Sequence, residues 1–150
     1  NNMRVRVVGD MAGLDDDIRA RITELEETTK DYTGLNFQIA LNYGSRDEIV
    51  RSVKKIVEKA NRGEIRPEDV NEEMFATYLD TRDIPDPDLL IRPSGELRIS
   101  NYLLWQIAYS EFYFADILWP DFGKKELEDA IRAYSLRDRR FGLVTDTEEV

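Results

Sequence analysis

The 150 residues of this chain include no cysteine and no histidine. Without cysteine there is no disulfide framework, no thiolate nucleophile and no zinc site of the usual kind. Without histidine the commonest general base is gone, so proton transfer falls to a carboxylate, a tyrosine or an anionic substrate's own oxygens. No apolar run approaches the roughly 20 residues that span a bilayer, and no signal-peptide pattern is visible. No integral membrane segment is expected, and the cytoplasm is the expected location. Positive charge is also short: 21 Lys and Arg stand against 31 Asp and Glu, a net charge of −10 with a pI near 4.6. Affinity for a polyanion rests on basic patches that release counterions, which excludes a general nucleic-acid binder. Any phosphate ligand has to be held by a local cluster.

What is present is a globular composition, 41% hydrophobic and 35% charged, of a length that fits one core. Strand and helix patterns alternate, which predicts an α/β fold with a mostly parallel sheet flanked by helices. Residues 4–9 alternate as a strand that begins almost at the first residue, as in a chain cut from something longer. Residues 15–30 read as a helix, with Asp15, Asp16 and Asp17 at the positive end of its dipole and Ile18, Ile22 and Leu25 on one face. Three consecutive carboxylates on a helix point in different directions, so they form a solvated helix start rather than a metal site. Residues 35–41 alternate as a second strand and 47–61 form a second helix. The latter's Ile49, Val50, Val53, Ile56, Val57 and Ala60 are expected to cover the sheet. Lys54, Lys55, Lys59 and Arg62 belong to its solvated side. Asn71 caps a short helix whose Met74, Phe75, Tyr78 and Leu79 face inward, and 81–87 is a loop. Asn101 is a plausible cap for a further short helix with Leu103, Leu104, Ile107 and Ala108 apolar, followed by an aromatic belt from Trp105 to Trp119. A final helix is expected over 124–139, with Leu127, Ala130, Ile131 and Tyr134 on its buried face. The tail, 143–150, reads as acidic and mobile.

The chemistry concentrates after residue 86. Leu89-Leu90-Ile91, bounded by Pro87 and Pro93, reads as a buried strand of the parallel type that delivers Arg92 to the carboxyl edge, where ligands of open α/β sheets collect. Pro93 biases Arg92 toward extended backbone, and Ser94-Gly95 lets the chain turn with exposed N–H groups. Arg98 and Ser100 follow, so two guanidinium forks and a hydroxyl can converge on a phosphate or diphosphate. Glu96 and Glu111 suit either the orientation of an arginine or the holding of Mg2+. The alternative is a pair of surface arginines matched with Glu96 and Asp88. Asn42-Tyr43-Gly44-Ser45, between a strand and a helix, has the geometry that attracts anions, although a tight turn alone accounts for Gly44.

From Ile91 to Phe122 the chain resembles the signature of the cis-prenyltransferases, the undecaprenyl diphosphate synthase family. An Ile-Arg-x-x-Gly-Glu-x-Arg-x-Ser-Asn run leads into Leu103-Leu104-Trp105-Gln106, then Tyr109-Ser110-Glu111-x-Tyr113-Phe114 and Leu118-Trp119-Pro120-Asp121-Phe122. Asn42, Tyr43, Gly44 and Arg46 match the family's Asn-Tyr-Gly-Gly-Arg run, with Ser45 in place of the second glycine. The resemblance implies a fold like that of undecaprenyl diphosphate synthase, and a transferase that elongates an allylic diphosphate such as farnesyl diphosphate with isopentenyl diphosphate. Each new double bond is cis, and the product, of the undecaprenyl diphosphate kind, is a membrane lipid that carries cell-wall glycans; a peripheral association with the membrane follows. By motif, Arg92, Arg98, Ile99 and Ser100 bind the diphosphate of isopentenyl diphosphate, Glu96 orients the arginines, Asn42 lies at the rim, and Glu111 is the Mg2+ ligand. Arg140-Phe141-Gly142 matches an Arg-x-Gly tripeptide that reaches into the partner subunit's site, and the aromatic region implies a homodimer.

Two positions depart from the family pattern: Pro93 stands where Thr is common, and Leu97 where Gln or His is usual. The family's opening half, with its Asp-Gly-Asn-Gly-Arg-Trp loop, is not found in these 150 residues. Residues 1–142 are therefore expected to be the C-terminal part of one cis-prenyltransferase domain, incomplete without the N-terminal part. No catalytic residue is expected in this chain, since the catalytic Asp belongs to the missing loop, and the isolated chain is expected to be inactive. A non-catalytic partner subunit and a phosphate-ligand binding module are the other readings.

Overall fold

Alternating arginine and valine favour an extended chain with two distinct faces, and Met3–Val8 forms the first strand, β1. It pairs in parallel with β2, Leu35–Ala40, in a register running from Met3 opposite Leu35 to Val8 opposite Ala40. The crossover between them is α1, Asp16–Thr29, which packs on β1. In this computed structural model residues 2–137 are described, and they divide into two units. The first holds residues up to Pro85 together with Asn101–Leu103; the second holds Asp86–Ser100 and the chain from Leu104 onward.

The carbonyl of Val8 accepts from the Leu41 amide, so alternate residues of β1 face β2 and the amides of Val5 and Val7 point the other way. Those two amides meet α1 rather than a strand: Val5 N donates to Thr29 Oγ1 at 3.1 Å and Val7 N to Glu26 Oε1 at 2.8 Å. Thr29 is buried by this contact. On β2 the apolar residues Leu35, Phe37 and Ile39 are exposed.

The second long helix, α2, runs Ser45–Asn61, and it buries a different face from the one its valines predict. Ser45, Glu48, Ser52 and Ile56 are the buried positions, whereas Val50, Val53 and Val57 are exposed. Hydrogen bonding is the reason. Glu48, fully buried, accepts the Tyr43 hydroxyl at 2.6 Å and the Asp80 amide at 2.8 Å. The Ser52 hydroxyl lies 2.8 Å from the Glu48 carbonyl and 2.9 Å from that of Tyr78. Arg51 grips Asp80 with both terminal nitrogens, at 3.2 and 2.8 Å, and Asp47 through Nε at 2.6 Å. A polar stripe with every group engaged can be buried at little net cost, and here it ties α2 to the segment after α3, Glu72–Ala76. Asn71 caps α3 as expected, its Oδ1 accepting from Met74 N at 2.9 Å, and Leu79 is almost wholly buried.

Asn101 does not open a helix of its own. Ser100, Asn101 and Leu103 have φ of 50°, 61° and 49°, and residues 101–109 are turns. The start of α2 accounts for this: the Asn101 carbonyl accepts from Ser45 N, and its Oδ1 from Arg46 N, both at 2.9 Å. These are two of the orphan amides at a helix start, capped from 55 residues away in sequence.

In the second unit, β3, Leu89–Arg92, pairs in parallel with β4, Glu111–Phe114, with Leu89 opposite Glu111 and Arg92 opposite Phe114. The aromatic run thus contains a strand that its sequence does not announce, because all four residues of β4 are half-buried and no alternation is visible. Helix α4, Lys124–Ser135, packs on β4 around the fully buried Ala130. Leu127 and Ile131, expected inside, are about half-exposed. Both described sheets are two-stranded and parallel, which makes the fold α/β as expected.

Asn101→Ala is expected to lower unfolding free energy by about 1–2 kcal/mol through loss of the cap and an unfavourable positive φ, and Asn101→Gly by less. Urea denaturation curves of the two variants measure the difference. Burial, reinforced by the hydrogen bond to Glu48, raises the Tyr43 pKa above its ordinary 10.0. A group whose folded-state pKa is raised adds stability that is complete below the unfolded value and is lost as pH climbs above it. The chain should therefore lose stability as pH rises past 10, and Tyr43→Phe should flatten that decline in melting curves taken between pH 8 and 11 while lowering stability at pH 8.

Candidate functional site

The second unit carries a cluster of charge at the carboxyl end of β3. Arg92 is the last residue of the strand, and its carbonyl accepts from Ala115 N at 2.9 Å, so its backbone is held in the ladder. After Pro93 the chain turns through Ser94 and Gly95 with φ of 94° and 69°. Their amides are not exposed donors, as the turn alone predicts, because Ser94 N donates to Ile117 O at 2.7 Å and Gly95 N to Ala115 O at 2.9 Å. Gly95 suits this turn because its φ is left-handed, and a Cβ there would also oblige the Asp116 carboxylate, 2.8 Å away, to shift.

The turn returns the loop to Arg92. Its Nη1 donates to the Arg98 carbonyl at 2.5 Å and to Ser100 Oγ at 3.0 Å. Arg98 is ion-paired with Glu96 through Nη1, and its side chain is 63% exposed. Ile99 is half-buried, and Ser100 is exposed. One guanidinium is therefore fixed by the fold and a second is presented to solvent beside it. Such a pair suits an anion with several oxygens, since guanidinium matches phosphate in a bidentate way. Of the pairings that the surface-arginine reading expects, the one between Arg98 and Glu96 is present.

Asn42 lies in the first unit, in a turn with φ of 47°. Its Nδ2 donates to the Asp10 carbonyl at 2.8 Å, and its own carbonyl accepts from Asp10 N at 3.1 Å. Asp10, Asn42, Tyr43, Gly44 and Asp47 line an open cleft of about 260 Å³. The amides of Ser45 and Arg46 at the adjoining helix start are already capped by Asn101, so they are not the anion donors that the strand-turn-helix pattern suggests. Ser45, which stands in place of the second glycine of the Asn-Tyr-Gly-Gly-Arg run, is buried.

Glu111 opens β4, with its amide on the Asp88 carbonyl at 2.9 Å. Its Oε2 accepts from Arg137 Nη1 at 2.5 Å, and Arg137 Nη2 reaches the Phe112 carbonyl at 2.9 Å. Sequence reasoning passed over Asp10, Glu48 and Arg137. For Glu48 a signal existed: Ser45, Glu48, Ser52 and Ile56 share one helix face, and a carboxylate on it five residues after a tyrosine is a candidate buried pair. For Arg137 there was none. Arg140 and Gly142 lie outside the described residues.

Residues 1–142 match the family model described as "Putative undecaprenyl diphosphate synthase". The chain is 51% identical over 142 residues to an isoprenyl transferase of Clostridium perfringens, covering 95% of this chain and 56% of that protein. It is 52% identical over 141 residues to one of Bacillus anthracis, covering 94% and 55%. Among solved structures, lavandulyl diphosphate synthase from Lavandula x intermedia, in complex with dimethylallyl diphosphate, is similar with a TM-score of 0.91 and 39% identity, over 94% of this chain and 61% of that one. A probable undecaprenyl diphosphate synthase from Campylobacter jejuni follows with a TM-score of 0.82 and 39% identity, over 95% and 64%. The chain thus spans about half the length of these curated relatives. With its α/β fold and its Arg92 to Ser100 loop, it belongs to the undecaprenyl diphosphate synthase family of prenyltransferases.

Proposed function

We propose that this chain supplies the isopentenyl diphosphate side of a cis-prenyltransferase site, in an enzyme that joins isopentenyl diphosphate to an allylic diphosphate such as farnesyl diphosphate. The observation that carries this reading is the loop of Arg92, Glu96, Arg98 and Ser100 at the end of a parallel strand, in a chain of this family. Arg92, held by Arg98 O and Ser100, is the preorganised donor; Arg98 exchanges Glu96 for the diphosphate; Ile99, half-buried, lies between Arg98 and Ser100 in the same loop. Fixed donors of this kind stabilise charge without reorganising during reaction. When the new carbon–carbon bond forms, diphosphate leaves the allylic partner and the isopentenyl unit gives up a proton. This chain has no histidine, so any acceptor that it supplies itself is a carboxylate or a tyrosine, a diphosphate oxygen being the substrate's own alternative.

For Mg2+ the chemistry of the donors is the test. Among the described residues no group of three or more carboxylates can hold a metal ion. Glu111 alone fits the mode in which Mg2+ is bound through one or two carboxylates and shares substrate phosphates. When bound there, the ion would neutralise diphosphate charge.

The rest of the enzyme has to come from elsewhere, including the catalytic aspartate of the family's Asp-Gly-Asn-Gly-Arg-Trp loop. The exposed Leu35, Phe37 and Ile39 on β2 support this, since an apolar sheet face is ordinarily covered. Tyr109, Leu118 and Trp119, each at least 65% exposed, support pairing of two copies into a homodimer, aromatics being enriched at interfaces. Among the described residues no helix is long and apolar enough to cross a membrane. A cytoplasmic enzyme that meets the membrane peripherally, where its lipid product resides, is the corresponding proposal. The same apolar face leaves room for a second reading, a non-catalytic subunit that lends Arg140 and Gly142 to a catalytic partner.

The test is incorporation of labelled isopentenyl diphosphate into extractable polyprenyl product with farnesyl diphosphate and Mg2+. The chain would be assayed alone, and then with the opening segment of the Clostridium perfringens relative supplied as a second polypeptide. Product only on addition is expected. Product from the chain alone would place the catalytic group within it, and none in either case would favour the non-catalytic subunit. In the complemented enzyme, Arg98→Ala should raise KM for isopentenyl diphosphate by about 10- to 100-fold, the loss of a charge-assisted contact, with KM for farnesyl diphosphate nearly unchanged. Equal losses for both substrates would assign the cluster to a different pocket.

A further inference from the structure

Residues 96–99 have no regular structure, yet the Arg98 carbonyl and the Ser100 hydroxyl at the end of this segment are what hold the Arg92 guanidinium. The near end of the segment is tied down, with Ser94 N on Ile117 O at 2.7 Å and Gly95 N on Ala115 O at 2.9 Å. Its far end is Ser100, grouped with the second unit and joined by one peptide bond to Asn101 of the first. Asn101 is anchored: its carbonyl accepts from Ser45 N and its Oδ1 from Arg46 N, both at 2.9 Å. Beside it the Tyr102 ring meets the Tyr43 ring edge-on at 5.7 Å, and the Tyr43 hydroxyl donates to the buried Glu48.

Three of the four residues 100–103 are left-handed, with φ of 50° at Ser100, 61° at Asn101 and 49° at Leu103. Asparagine tolerates that region, whereas serine and leucine enter it at a cost that a determined surrounding has to offset. The two bonds to α2 supply that surrounding. We propose that Asn101 is a positioning residue for the diphosphate loop: by capping α2 it fixes where Ser100 leaves the loop, and through Ser100 the guanidinium of Arg92. The inference rests on the reading of this loop as the isopentenyl diphosphate side. It adds that the order of the loop before binding is set by a helix start remote from it in sequence. Such order lowers the cost of binding, because less has to be immobilised when the ligand arrives.

Gly44 offers a way to disturb the cap without altering the loop. Its φ of −148° is extended backbone that any residue adopts, and a Cβ there would lie 2.9 Å from Asn101 Nδ2, obliging the carboxamide to shift. The test is titration of the full chain with isopentenyl diphosphate, followed by amide signals in nitrogen-proton correlation spectra, which also show whether each variant is folded. Asn101→Gly keeps the left-handed backbone and loses only the side-chain cap, and it should raise Kd about 5-fold, the worth of one hydrogen bond. Gly44→Ala should raise Kd in the same direction and, without ligand, move the signals of Arg98 and Ser100 as well as those of residues 44–46. Combined with Asn101→Gly it should add nothing, since the carboxamide it displaces is gone. Unchanged Kd in both single variants, with the parent still binding, overturns the positioning role and leaves the isopentenyl diphosphate reading in place. An additive double variant overturns the route through the cap. No binding by the parent overturns that reading and the positioning role together.

Discussion

Parallel pairing is the constraint on which the rest of this structure depends. Two parallel strands end at the same edge, so the loops that leave them are neighbours whatever lies between them in sequence. In the first sheet this brings Asp10, just after β1, against Asn42, just after β2, and the cleft lined by these residues follows. In the second sheet it brings Ser94 and Gly95 against Ala115 and Ile117, which closes the turn and returns Arg98 and Ser100 to Arg92. Each candidate substrate-binding residue that can be described lies on a loop placed in this way or beside it.

The strands β1, β2 and β3 were legible because each is a short apolar or alternating run with turn residues at its ends. Strand β4 was not, since four half-buried residues in an aromatic stretch carry no period. Apolar spacing also misplaced the inner face of α2. A buried carboxylate that receives a phenol and an amide can hold a face that valine would otherwise occupy, and hydropathy patterns do not record such partners. The absence of a helix at residues 101–109 has the same origin. Asn101 has the chemistry of a cap, as its type suggests, but the helix it caps begins at Ser45. Of the site, the arginines, Glu96 and Ser100 were readable from motif spacing, whereas the partner of Glu111 was not, because no local pattern links residues 111 and 137.

The excess of acid over base bears on this site in a specific way. With ten more acidic than basic residues, arginine is the scarce component, and the structure spends it on defined geometry. Arg51 bridges two aspartates, Arg92 holds a loop carbonyl and a hydroxyl, Arg98 rests on Glu96, and Arg137 spans a carboxylate and a carbonyl. An anionic ligand therefore meets arginines already oriented by oxygens of the chain, and each contact it makes is an exchange between oxygens. On the proposed reading, a ligand with several oxygens at fixed separation, such as a diphosphate, displaces several such partners together.

The side chains of Glu26 and Thr29 at the outer edge of β1 have a consequence for growth of the sheet. By taking the amides of Val7 and Val5, α1 leaves no continuous ladder on that side for another strand to zip onto. The sheet consequently has a sealed margin and an open one. Among the described residues the open edge is that of β2, the strand that carries the exposed Leu35, Phe37 and Ile39.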